Sequence, residues 1–360
     1  MQGVLFLNRI LFCYTREMSE VTLYRKYRPQ SFDEVIGQDA VVATLKGALQ
    51  NDSIAHAYLF SGSRGTGKTS IARIFAREIG SSDNDTYEID AASNRGVDDI
   101  RALRDAVHTL PFDSKFKVYI VDEVHMLTKE AFNALLKTLE EPPKHVIFIL
   151  ATTEEEKLPE TIVSRCQSFR FKRPSHATLQ KLVETVSKKE GYKLEPSSSD
   201  LIALLGDGSF RDTLGTLQKV IAASTDKKIT PEEVAVTLGA PSTRMVNDFI
   251  LAITERDFAK GAQVLAQASE TIGDMKIFLD LVVRKVRFVL ILRFATAMKA
   301  EVRENSSEED FVFLEKLSKE AGKTLASKEL VALLGAYADL RTAAIPTLPL
   351  ELALLRVIGE

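Results

Sequence analysis

The sequence predicts a parallel α/β domain, with helices on both faces of its sheet, followed by two helical domains. Three observations predict it: short apolar runs alternate with helical patterns up to about Pro174, a glycine-rich turn joins one run to a helix, and no convincing strand follows Pro174. The runs are Ala57 to Ser61, Tyr87 to Ile89, Lys117 to Val121, Val146 to Ala151 and Ser168 to Phe171, short and nearly continuous in apolar or aromatic residues as strands buried on both faces require. Among the helical patterns between them, residues 129–140 place Phe132, Leu135, Leu136 and Leu139 on one face, and Pro142 with Pro143 ends the helix.

Beyond Pro174, turn signals at Gly191, Pro196, Gly206 to Gly208 and Thr230-Pro231 separate short helices, the last pair being an N-cap with proline at the first helical position. From about Ser242 longer apolar helices dominate. The predicted boundaries are an N-terminal extension over 1–20, the sheet domain over 21–174, a small helical domain over 175–241 and a helical third domain over 242–360. The 360 residues, 45% hydrophobic and 27% charged, suffice for two or three cores at about 100 to 200 residues each and exclude disorder as the main state.

Lys plus Arg number 47 against 50 Asp plus Glu, a formal charge of −3, so no overall basic excess marks a nucleic-acid or anionic membrane surface and any such contact is local. Two cysteines, Cys13 and Cys166, are too few for a disulfide framework or a four-thiolate zinc site and fit a reducing compartment. The apolar stretch Val4 to Tyr14 is broken by Asn8 and Arg9 and lacks a small-residue cleavage site, and Met18 opens a more ordinary start. Ile277 to Ala295 is interrupted by Asp280, Arg284, Lys285, Arg287 and Arg293, too many charges for a bilayer, and reads as a helix buried in protein with Asp280, Arg284 and Arg287 on one stripe. The expectation is a soluble cytoplasmic protein with no membrane partner.

Residues 62–69, GSRGTGKT, match G-x-x-x-x-G-K-[ST] between a strand and a helix. Gly62, Ser63, Arg64, Gly65, Thr66 and Gly67 form the curl whose N–H groups face phosphate, Lys68 reaches the β and γ phosphates, Thr69 ligates Mg²⁺, and Ser70 opens the helix. KVYIVDE supplies the second half: Asp122, at the strand's carboxyl end, holds Mg²⁺ through water, and Glu123 polarises the attacking water. That acidic pair points to a hydrolase, whereas His125 reads as a satisfied structural histidine beside the strand end.

GSRGTGKT, KVYIVDEVHMLTKEAFNALLKTLEEPP, FILATTEEEKLPETIVSRC and GSFRDTLGTLQKVI together resemble the tau/gamma ATPase subunits of the bacterial DNA polymerase III clamp loader, a family of AAA+ proteins, from about Leu23 to the chain end. The resemblance implies an AAA+ P-loop domain, a helical lid and an all-α collar for oligomerisation. It implies Tyr24, Arg25, Tyr27, Arg28 and Pro29 beside the base and ribose, with Val35 and Ile36 lining the pocket. Thr153 matches sensor 1, Arg165 the arginine finger acting in trans, and Arg211 sensor 2. Asn94, Arg95 and Arg101 are nominated for template phosphates, although Asp98, Asp99 and Asp105 oppose that charge. ATP and Mg²⁺ are implied as ligands, with delta-like and delta-prime-like subunits, copies of the same chain, a ring-shaped sliding clamp and primer-template DNA as partners. One departure is the four-cysteine zinc module usual after the P-loop helix: here GSSDNDTYEID carries no cysteine, so no zinc is expected, and the chain approaches the replication factor C-like small subunits. The alternative reading is another AAA+ DNA-acting motor such as a branch-migration helicase.

Overall fold

Five parallel strands, β1 (Ala57–Ser61), β2 (Thr86–Asp90), β3 (Lys117–Asp122), β4 (Val146–Thr152) and β5 (Gln167–Arg170), form one sheet in the order β2-β3-β4-β1-β5. The computed structural model describes residues 22–94, 96–272, 274–304, 306, 308–320 and 324–359. Residues 1–20, the expected N-terminal extension, and Cys13 lie outside the described residues. Packing divides the chain into two units: one ends at Pro174 but also takes in Ser209–Gln218, and the other comprises Ser175–Gly208 and Lys219–Glu360.

In the first unit, strand alternation sorts side chains into two cores. Leu59, Tyr119, Val121, Phe148 and Leu150 pack with Ile100 and Leu103 of α4 (Val97–Val107), Phe132 and Leu135 of α5 (Lys129–Glu140), and Ile162 of α6 (Glu160–Val163). Tyr58, Phe60, Ile120, Ile149 and Ala151 face the other way, against Leu45 of α2 (Asp39–Gln50) and Ile71, Ile74 and Phe75 of α3 (Lys68–Glu78). Because both faces of the central strands β1, β3 and β4 are covered, these carry no polar alternation, whereas the edge strands β2 and β5 expose polar residues; each fully buried Phe contributes about 1.5 to 3 kcal/mol of transfer free energy. Residues 22–27 make a single helical turn, α1 (Leu23–Lys26), with the Leu23 N–H donating to Gln218 Oε1 at 3.0 Å. The strand limits move by one residue from the expected ones, as at β5, where Gln167 pairs with Tyr58.

Asp85 precedes β2 and is fully buried, accepting the Phe112 N–H at 2.6 Å and the Asp113 and Ser114 N–H groups at 3.0 Å. Burial pushes its pKa up, but the Phe112 and Asp113 N–H donors outweigh it, and the carboxyl stays far below its ordinary range. A depressed pKa means that its stabilisation is present above the unfolded-state value of about 4 and is lost as pH falls through the folded-state value. Asp85→Ala is therefore expected to destabilise the chain by about 1 to 3 kcal/mol at neutral pH, by removing the acceptor of three partly buried N–H donors. Chemical denaturation at pH 7 and at decreasing pH checks this: a variant as stable as the parent, or equally acid-sensitive, would refute it.

In the second unit, the helices are α7 (His176–Lys189), α8 (Pro196–Leu205), the later part of α9 (Phe210–Ala223), α10 (Pro231–Leu238), α11 (Thr243–Glu255), α12 (Phe258–Thr271), α13 (Met275–Phe294), α14 (Lys299–Glu304), α15 (Glu308–Glu320), α16 (Ser327–Leu340) and α17 (Leu348–Ile358). Thr230 and Glu233 make the capping box that opens α10. The absence of strands here needs correction, since β6 (Lys193–Leu194) and β7 (Lys228–Ile229) pair in parallel. Two residues are too few to display period-two alternation. Helix α13 forms the spine of the core with Phe278, Leu279, Val282, Val286 and Val289. Three of its charges are spent within protein, while Arg287 of the expected stripe is exposed: Asp280 accepts from Tyr337, Arg284 grips Asp200 with two nitrogens, and Lys285 donates to Asn247 and Asp310 at 2.7 Å. Among the described residues no helix is long and apolar enough to cross a membrane.

Candidate nucleotide site

The strand order inserts β4 between β1 and β3, so the carboxyl ends of these three strands lie side by side, where open α/β sheets bind ligands. From β1 the chain turns through Gly62 to Gly67 into α3. At Gly62, φ is +144° and an added Cβ would lie 2.5 Å from the Phe171 carbonyl oxygen; at Gly65, φ is +71° and a Cβ would lie 2.0 Å from Ser209 Oγ. Neither position admits a side chain, so the backbone itself lines the curl. Lys68 is 5% exposed and donates to the Gly62 and Ser63 carbonyls at 2.8 and 3.0 Å. Burial lowers its pKa, against the pull of Glu123 and Asp122, which raise it.

From β3 comes Asp122, whose Oδ2 accepts the Thr69 hydroxyl at 2.7 Å and whose Oδ1 accepts the Glu123 N–H at 3.0 Å. Two hard oxygen donors beside a phosphate-sized backbone curl form a set that could hold Mg²⁺, which prefers a few protein oxygens plus phosphate and water. ATP fits the same test, since at Gly62 and Gly65 the space a Cβ would need is taken by the Phe171 carbonyl and Ser209, which leaves backbone N–H groups at the start of α3 to face a phosphate. Among the described residues there is no cluster of three or more His, Cys, Asp or Glu side chains that could hold a metal ion. Glu123 sits in the left-handed region at φ +49°, a strained conformation for a side chain of its size. Its Oε2 accepts the Thr153 hydroxyl at 3.1 Å, which joins the end of β3 to the end of β4.

The remaining expected residues divide. Arg211, in the first turn of α9, has its guanidinium 5.8 Å from the Tyr24 ring and lies close enough to Lys68 to lower its pKa by repulsion, while the neighbouring Phe210 N–H donates to the Gly65 carbonyl. Arg25 also lies 5.8 Å from the Tyr24 ring. Arg28 and Pro29 line a cavity of about 260 Å³ with Ser70, Arg73 and Glu88, and burial and the charge of Arg73 lower the Arg28 pKa. Tyr27 and Val35 are half-buried and Ile36 is exposed. Arg165 is bonded to the Thr161 carbonyl and Glu140 at 2.9 and 2.7 Å, not to any group of the phosphate loop. The Asn94 side chain donates to the Asp90 carbonyl at 3.0 Å; Arg95 lies outside the described residues, and only the backbone of Arg101, in α4, is described.

Two residues at the site escape sequence reasoning. Gln38, 4% exposed, donates to the Thr66 and Lys172 carbonyls and accepts the Lys172 N–H, so it ties the phosphate loop to the segment after β5. No local pattern marks it. Ser209, against Gly65, could have been found as the cap whose Oγ accepts the Asp212 N–H.

A family model described as "DNA polymerase III, delta subunit" matches residues 37–96 and 82–175. The chain is 38% identical over 315 residues to the DNA polymerase III subunit tau of Bacillus subtilis, 82% of this chain and 56% of that protein. It is 42% identical to the Escherichia coli tau subunit over 70% of this chain and 42% of that one, and 34% identical to the Mycobacterium bovis gamma/tau subunit over 94% and 62%. The chain is a homologue of the DNA polymerase III tau/gamma subunits. This tau/gamma homologue spans about half the length of the curated relatives it matches. Among solved structures, RuvB, the Holliday junction branch migration motor of Thermotoga maritima, matches with a TM-score of 0.52 and 20% identity over 70% of this chain and 90% of that one, a likeness of AAA+ fold alone.

Proposed function

We propose that the chain is an ATP-hydrolysing subunit of a cytoplasmic DNA polymerase III clamp loader, using ATP to open a ring-shaped clamp and load it on primer-template DNA. The observation that carries this reading is the set Lys68, Thr69, Asp122, Glu123 and Thr153 around a glycine-rich backbone curl, in a tau/gamma homologue. Lys68 and the loop N–H groups bind the phosphates; Thr69 and Asp122 hold Mg²⁺, which supplies charge neutralisation. Glu123 orients the attacking water, with Thr153 fixing its carboxylate. Arg211 reports the nucleotide from the lid over 175–241, and Tyr24, Arg25, Tyr27, Arg28, Pro29, Val35 and Ile36 flank the base. Arg165 completes the site of the adjacent subunit, and Asn94, Arg95 and Arg101 meet template phosphates.

The collar over 242–360 assembles the chain with its own copies and with delta-like and delta-prime-like subunits. Supporting this, Val331 and Leu334 on α16, Leu348 and Leu352 on α17, and Ile345 are large apolar side chains left exposed in this region. Differential affinity of the ATP and ADP states for the clamp drives the cycle. Native mass spectrometry of the chain with candidate clamp-loader subunits, clamp and ATP tests the proposal. A mixed pentamer bound to a clamp is expected, and a ring of six identical chains would assign the protein instead to AAA+ motors of the branch-migration kind.

A further inference from the structure

His125 is 6% exposed at its side chain and stands between the ends of β3 and β4. Its Nε2 lies 3.2 Å from Glu154 Oε1 and its Nδ1 3.0 Å from Thr152 Oγ1; Nδ1 is also 3.6 Å from Glu123 Oε2, the oxygen that accepts from Thr153. The Thr152 hydroxyl in turn accepts the Glu154 N–H at 3.0 Å, and Lys157 holds Glu154 Oε2 at 2.7 Å. Both ring nitrogens are thus engaged by the turn after β4, and the ring stands against one side of the Glu123 carboxylate while the Thr153 hydroxyl donates to it.

We propose that His125 is a positioning residue for ATP hydrolysis, locking the Thr152–Thr153–Glu154 turn against the Glu123 turn so that the water-orienting carboxylate and its threonine keep one geometry. This role rests on the proposed ATPase function. Glu123 needs such support because it holds a left-handed backbone conformation, and displacement of a reacting group by about 1 Å can cost about a hundredfold in rate. The bonds to Glu154 and Thr152 fasten the turn that carries Thr153, and the ring stands 3.6 Å from the Glu123 carboxylate that Thr153 holds.

The test compares parent, His125→Ala, His125→Gln and Glu123→Gln chains in the assembled complex by kcat, KM and ATP affinity, with amide hydrogen exchange across residues 122–127 and 150–157. His125→Ala is expected to lower kcat about tenfold to a hundredfold while ATP affinity and KM stay within about twofold of parental. Exchange should rise at Glu154, whose N–H depends on the Thr152 hydroxyl, and not in the phosphate loop. His125→Gln, which can still bond Glu154, should recover part of kcat. A His125→Ala chain turning over at the parental rate beside an inactive Glu123→Gln would overturn this role alone. So would a joint loss of affinity and melting temperature that glutamine does not relieve. A parent complex with no turnover would overturn the ATPase reading, and this role with it.

Discussion

Arg165→Ala is expected to cost the assembled complex about 10³-fold or more in clamp- and DNA-stimulated hydrolysis while leaving the ATP affinity of the isolated chain nearly unchanged, because an arginine finger is worth about 10³ to 10⁵ in related phosphoryl transfers. Within its own chain the guanidinium is bonded to Glu140 and the Thr161 carbonyl, away from Lys68 and Asp122, and that pairing fixes its direction without committing it to the chain's own phosphates. An exposed pair of this kind contributes about 1 kcal/mol at most, so a neighbouring subunit's phosphate can draw the arginine away from Glu140. The decisive measurement mixes subunits. Complexes combining Arg165→Ala and Lys68→Ala chains should be active only where an intact Lys68 meets an intact Arg165 from next door. Activity that tracks both residues on one chain would withdraw the shared-site mechanism.

Glu123→Gln is expected to bind ATP as the parent does and to lose about 10² to 10⁴ in turnover. Glutamine keeps the length and can still accept from Thr153, so the binding curl is undisturbed and only the carboxylate's ability to draw a proton from water is removed. Lys68→Ala should behave in the opposite sense, because the buried ammonium spans the Gly62 and Ser63 carbonyls and its loss opens the loop itself. Equilibrium nucleotide binding and steady-state hydrolysis on the same preparations separate the two. Parental turnover in the glutamine variant would remove Glu123 from its assigned role.

Much of this arrangement was legible in the sequence because the signals are local. GSRGTGKT between a strand and a helix, and an acidic pair closing an apolar run, each declare their conformation within ten residues, and the structure brings Thr69 and Asp122 within hydrogen-bond distance. What was not legible depends on partners far along the chain. Gln38 acquires its place only through Thr66 and Lys172, and His125 looks inert until the end of β4 is laid beside it. The two-residue ladder of β6 and β7 is below the length at which a pattern exists, and the helical turn at Leu23 depends on Gln218 rather than on its own propensity. On α13 the interrupting charges mark a helix buried in protein, and Asp280, Arg284 and Lys285 do bond to other helices, but which partners they take was not legible.

The place of β4 in the sheet also governs when the site comes into being. Ribosomes deliver β1 and its glycine turn first, then β2 and β3, yet β1 and β3 are not neighbours until β4 slides between them and pairs Ala57 with Phe148 and Lys117 with Val146. Before that strand has emerged, the Gly62 N–H has no Thr152 carbonyl to meet and Glu123 has no Thr153. Such long-range parallel pairing is slow to form and leaves strand edges open in the meantime. On the proposed function, nucleotide capture is consequently a late event in the life of the nascent chain, and ATP would act as a ligand that seals a finished sheet but not as a template for an unfinished one.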